Sequence, residues 1–176
     1  MTKKNKTVLV VDDDPLMLRV IQKTLIKAFD EFSIITTTSG LKCLEIAAAE
    51  YPETIILDVN MPDMDGFETC KTLKTNPETR HIPILMMTGE TLESARKAAG
   101  LIIGADAYLF KPFGNAELIA QVQVMLRIKH AEDTLKAQKE TLERAFRKQI
   151  TDLQQSKESL QKQLHVLEKQ IKETID

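Results

Sequence analysis

Glycine and proline vanish from this chain after its first two thirds. All six glycines (Gly40, Gly66, Gly89, Gly100, Gly104, Gly114) and all six prolines (Pro15, Pro52, Pro62, Pro77, Pro83, Pro112) precede residue 127 of a 176-residue sequence. Among the six phenylalanines and two tyrosines, only Phe146 follows that point. A tract of about fifty residues, mostly helix formers with no breaker, is either one long helix or no ordered structure. The part before it is punctuated roughly every ten to fifteen residues, as a compact domain is. The chain therefore reads as one domain, residues 1–126, followed by a helical appendage, residues 127–176.

Within the first part, short apolar runs alternate with longer periodic ones. Val8-Leu9-Val10-Val11 has no polar alternation, as a strand buried on both faces requires, and Ile55-Ile56-Leu57 and Ile84-Leu85-Met86-Met87 read alike. Weaker strand signals lie at Ser33–Thr38 and Ala107–Phe110. Helical patterns separate them at Leu16–Phe29, Leu41–Glu50, Phe67–Thr75 and Leu92–Ala99, with a last one starting near Asn115. Five strand–helix repeats predict a parallel sheet covered by helices on both faces. Such sheets bind ligands at the carboxyl ends of their strands.

The residues at those ends carry the chemistry. Asp12, Asp13 and Asp14 follow the first run, Asp58 the third, Thr88 the fourth, and Lys111-Pro112 the fifth. Each has an ordinary alternative. Asp and Pro suit a helix N-terminus, Asp63-Met64-Asp65-Gly66 suits a turn, and Thr88 and Lys111 suit any surface loop. A parallel sheet brings all of them to one patch, where clustered carboxylates repel unless a cation lies between them. Oxygen-only ligands of this kind suit Mg²⁺, which also accepts phosphate oxygens. Lys111 and the Thr88 hydroxyl are placed to hold the remaining oxygens of a phosphoryl group. An aspartate in that setting is a nucleophile toward phosphorus and forms an acyl phosphate.

Residues 7 to about 126 resemble the receiver domain of response regulators, the CheY-like two-component family. The resemblance rests on Val8-Leu9-Val10-Val11-Asp12-Asp13-Asp14-Pro15, the Asp58 segment through Pro62 and Gly66, Thr88-Gly89, and Gly104-Ala105-Asp106-Ala107-Tyr108-Leu109-Phe110-Lys111-Pro112-Phe113. It implies a five-stranded, doubly wound, flavodoxin-like parallel sheet. It implies Asp58 as phosphoacceptor, with Asp13, Asp58 and the Asn60 backbone carbonyl ligating Mg²⁺ and Asp12 acting through water. Thr88 then contacts the phosphoryl group, Lys111 is its cationic partner, and Tyr108 is the aromatic switch. The Lys111-Pro112 peptide is expected to be cis. One departure stands out: Ala98-Ala99-Gly100-Leu101-Ile102-Ile103 is apolar where the family is mostly charged. The stretch from Thr88 to Tyr108 also runs about one residue long, with Gly100 able to end its helix early. A standard dimer face there is thereby put in question, whereas the chemistry is not.

From Phe146 the tail carries apolar residues at four- and three-residue steps. Ile150, Lys157, Leu164 and Ile171 take a, and Leu153, Leu160 and Leu167 take d. β-Branched a with Leu d favours a parallel two-stranded coil, and Lys157 at one a position disfavours higher states. The flanks are mostly glutamine (Gln149, Gln154, Gln161, Gln163, Gln170), so charge neither selects nor rejects a second copy. The steps Leu142–Phe146–Ile150 form a stutter that unwinds a supercoil locally. The alternative is a single amphipathic helix folded back on the domain.

Other classes fall away on composition. The net charge of −2, and a tail with 11 basic and 9 acidic residues, give no nucleic-acid footprint. Cys43 and Cys70 lack partners at metal spacing and read as reduced core thiols. The apolar run after the basic start is far too short for a signal or membrane segment, so a cytoplasmic protein is expected. Two readings remain. One is a phosphorylation switch fed by a sensor histidine kinase or phosphotransfer protein, homodimeric through the coil. It has no enzymatic activity beyond self-catalysed phosphotransfer and autodephosphorylation. The other is a constitutive dimerising adaptor. The intact acid pair favours the switch, because a scaffold has no use for a self-repelling pocket. An Asp-nucleophile phosphatase of the dehalogenase kind needs an acid two residues after Asp58, where this chain has Asn60. The chain is either complete or cut before an output domain.

Overall fold

The computed structural model describes residues 6–89 and 103–175, with side chains of the C-terminal helix described through His165. The elements run β1 (Lys6–Val11), α1 (Pro15–Ala28), β2 (Phe32–Thr37), α2 (Gly40–Glu50), β3 (Thr54–Asp58), α3 (Gly66–Thr75), β4 (Ile84–Gly89), β5 (Ala107–Lys111) and α4 (Asn115–Ile175). All five strands are parallel, in the order β2-β1-β3-β4-β5. The helix expected over Leu92–Ala99 and the apolar departure at 98–102 lie outside the described residues.

The unalternating strand runs are explained by two apolar layers. Successive strand side chains point to opposite faces. Val8, Val10, Ile56, Leu85, Met87 and Leu109 meet Leu18, Ile21 and Leu25 of α1 and Leu118, Val122 and Met125 of α4. Leu9, Val11, Ile55, Leu57, Ile84 and Met86 meet Cys43 and Ala47 of α2 and Cys70 and Leu73 of α3. Every central-strand residue thus has a covered face, which is why the runs Val8–Val11, Ile55–Leu57 and Ile84–Met87 are apolar throughout.

The chain divides into two compact units, Met1–Glu132 and Asp133–Asp176. The first holds the sheet, α1–α3 and the start of α4. In the second, α4 is one helix without Gly or Pro, and its large apolar side chains from Leu135 to Leu164 are exposed. The side chains of Leu167 and Ile171, expected to continue the seam, lie outside the described residues. Among the described residues, no helix is long and apolar enough to cross a membrane.

Candidate functional site

Strand register assembles the site. Val11 pairs with Leu57, Asp58 with Met87, and Gly89 with Lys111, so four carboxyl ends finish side by side. The three consecutive acids then separate by role. Asp14 caps α1: its Oδ1 accepts from the Leu16 N–H at 2.8 Å, with Pro15 in the first turn. The cap alternative read from the sequence is thus met by Asp14 alone, which leaves Asp12 and Asp13 for the strand end. Asp12 is buried and held by the Asp14 N–H at 2.9 Å, whereas Asp13 is exposed.

Asp12, Asp13 and Asp58 each present a carboxylate oxygen, all within 4.8 Å of one another. The Lys111 ammonium donates to Asp12 Oδ2 at 2.6 Å and to Asp58 Oδ1 at 2.7 Å. Asp58 Oδ2 accepts from the Asn60 N–H at 2.9 Å. Three carboxylates to one ammonium leave the cluster net negative. Burial pushes the Asp58 carboxyl above the usual carboxylate range; the bond to Lys111 and its charge oppose this, and the Asp12 charge adds to it. Burial acts to lower the Lys111 ammonium, but its bonds to Asp12 and Asp58 and their charges outweigh this and raise it. An all-oxygen donor set, two members buried and one open to water, suits a hard divalent cation that keeps part of its hydration.

Thr88 is buried at the end of β4, its hydroxyl donating to the Gly89 carbonyl at 3.3 Å. Tyr108 lies on β5, and its buried hydroxyl has no hydrogen-bond partner among the described residues. Burial raises the Tyr108 phenol, with a smaller contribution from Cys70. The Lys111–Pro112 peptide is cis.

Two supports have roles that the sequence did not reveal, although Gly66 and Asp106 stand in the quoted motifs. The Lys74 ammonium donates to Asp106 Oδ2 at 2.8 Å and to the Ile82 carbonyl at 3.0 Å, while Asp106 Oδ2 accepts the Ile84 N–H at 2.8 Å. This clamps the starts of β4 and β5, and so sets where Thr88 and Lys111 emerge. No local signal links residues so far apart in the chain. The second support is Gly66, whose N–H donates to the Val59 carbonyl at 2.9 Å. A Cβ there would lie 2.2 Å from the Asp58 carbonyl oxygen and 2.8 Å from the Val59 Cα. Both obstacles are backbone, so the loop bearing Asp58 and Asn60 must shift. Gly66→Ala is expected to cost about 1–3 kcal/mol or more by overpacking. Urea denaturation checks this; an unchanged midpoint would show that the loop yields freely.

Residues 8–123 match the family model of the response regulator receiver domain. The response regulator MprA of Mycobacterium avium is 37% identical over 126 residues, covering 72% of this chain and 53% of that protein. The alkaline phosphatase synthesis transcriptional regulatory protein PhoP of Bacillus subtilis is 39% identical over 123 residues, covering 70% and 49%. The chain thus spans about half the length of these curated relatives. Among solved structures, the chemotaxis protein CheY4 of Vibrio cholerae is 35% identical with a TM-score of 0.64, covering 69% of this chain and 98% of that one. The receiver domain of sensor histidine kinase PA1611 from Pseudomonas aeruginosa PAO1, with magnesium coordinated in its active-site cleft, is 25% identical with a TM-score of 0.61, covering 71% and 98%. This chain belongs to the response regulator receiver domains of two-component systems.

Proposed function

We propose that Asp58 accepts a phosphoryl group from the phosphohistidine of a sensor kinase or phosphotransfer protein in a Mg²⁺-dependent reaction. The observation that carries this is the Lys111 ammonium bridging Asp12 and Asp58 beside Asp13. Asp13, Asp58 and the Asn60 carbonyl would hold the metal, with Asp12 acting through water. The bound ion would supply charge neutralisation for acids and donor alike; magnesium is coordinated in the active-site cleft of the PA1611 receiver. The Asp58 carboxylate attacks phosphorus as the bond to the donor nitrogen breaks. Lys111 is already at hydrogen-bond distance from Asp58 and follows the new negative charge onto the phosphoryl oxygens. Thr88 and Tyr108 read the change out on the neighbouring strands.

In this reading the domain turns over only its own phosphoryl group and works in the cytoplasm. Two copies pair in parallel through Ile150, Leu153, Leu160, Leu164, Leu167 and Ile171. Burying each large side chain contributes about 1.5–3 kcal/mol. Acetyl phosphate with Mg²⁺ is the direct test, and intact mass should show one added phosphoryl group. Asp13→Ala should slow labelling by roughly a hundredfold or more, since even outer-shell changes at metal sites cost about 10–100-fold. Normal labelling of that variant in Mg²⁺ would overturn the ligand assignment.

A further inference from the structure

Among the described side chains of the second unit, seven large apolar ones are each 51–70% exposed: Leu135, Leu142, Phe146, Ile150, Leu153, Leu160 and Leu164. Four of them belong to the heptad seam that begins at Ile150; Leu135, Leu142 and Phe146 lie upstream of it. A strict heptad extended backwards from Ile150 reaches Glu143 and Lys139, so Leu135 and Leu142 do not belong to it. At about 100° per residue, however, all seven fall within roughly 80° of one another around the helix. The four-residue steps at Leu142–Phe146–Ile150 cancel the drift that heptads accumulate on a straight helix. The result is a single straight stripe. Contiguous exposed apolar surface of this extent marks an interaction face.

The spacing also identifies the occupant. A partner helix must relax its supercoil at the level of Leu142–Ile150, where this one does. A second copy, parallel and in register, meets that demand at every level. Lys139 and Lys157 share the stripe, and their stems can pack along it with the ammonium groups reaching water. Resting on the coil reading above, we propose that the homodimer interface runs from Leu135 to at least Leu164, through the phase break, in parallel and in register.

The test uses the full chain with Leu135→Cys or Leu142→Cys under mild oxidation. Native Cys43 and Cys70 are fully buried, and burial pushes their thiols up to about 12 and about 11, so they stay silent. Each new cysteine should cross-link to its own counterpart within the dimer. Lys139→Leu should tighten the dimer about tenfold, a gain that loss of folding cannot mimic. A chain that is dimeric by light scattering, with neither cysteine cross-linking and no tightening from Lys139→Leu, overturns the inference: pairing would start at Ile150 or run antiparallel. A monomeric unsubstituted chain would instead overturn the coil reading on which it rests.

Discussion

Asp58→Asn is expected to take up no phosphoryl group from acetyl phosphate and Mg²⁺ while the unsubstituted chain gains one. An amide is no nucleophile toward phosphorus, and the neighbouring acids cannot replace Asp58. Asp12 is fixed by the Lys111 ammonium and the Asp14 N–H, and Asp14 is committed to capping α1. Asp13 is exposed and serves as a metal ligand in the proposed scheme. Labelling of the variant at an undiminished rate, read by intact mass, would place the acceptor elsewhere. The same substitution has a stability signature without metal. Burial holds the Asp58 carboxyl above its unfolded value, so the folded state binds this proton more tightly than the unfolded state. Its contribution is fully present below the unfolded carboxylate pKa and is lost as pH rises through the folded one. In EDTA, Asp58→Asn should therefore gain thermal stability relative to the parent as pH climbs from the acid range to neutrality. A gap that narrows over that range would contradict the electrostatic account.

Leu160→Asp combined with Leu164→Asp should convert a dimer into a monomer that still phosphorylates at Asp58. Both leucines are exposed in the single chain, so the substitutions leave its own packing almost untouched. In the paired state they remove four apolar side chains and bring four carboxylates together. At about 1.5–3 kcal/mol per side chain, the loss exceeds a thousandfold in the dissociation constant. Light scattering reads the mass and acetyl phosphate labelling reads the domain. A double variant that stays dimeric would move the interface onto the receiver. With Gln149, Gln154, Gln161 and Gln163 on the flanks and Lys157 facing its own counterpart, added salt should not weaken the parent dimer.

Much of the fold was legible because the burial code of a parallel sheet is local. Val8–Val11, Ile55–Leu57 and Ile84–Met87 are apolar without alternation since helices cover both faces, and each sits inside an observed strand. The weaker signals at Ser33–Thr38 and Ala107–Phe110 also correspond to strands, on the two sheet edges where burial is less complete. The candidate site was legible for a related reason. Polar groups follow four of the strand runs, and a parallel sheet gathers those ends at one patch, which singled out Asp12, Asp58, Thr88 and Lys111.

Tertiary structure decided the division of labour among those groups. Sequence could not say which of Asp12, Asp13 and Asp14 caps the helix, because all three carry the same chemistry; the direction in which α1 leaves β1 settles it on Asp14. Nor could it show Lys74 clamping Asp106, or the Asp58 carbonyl filling the space that a Cβ at residue 66 would need, since both follow only when α3 packs on the sheet. The sheet, the acids at the carboxyl ends of its strands and the apolar seam of the tail were all legible through periodicity and the cost of burying charge. Which oxygen meets which ammonium was left to the folded chain, because hydrogen-bond geometry depends on distances that spacing along a sequence does not encode.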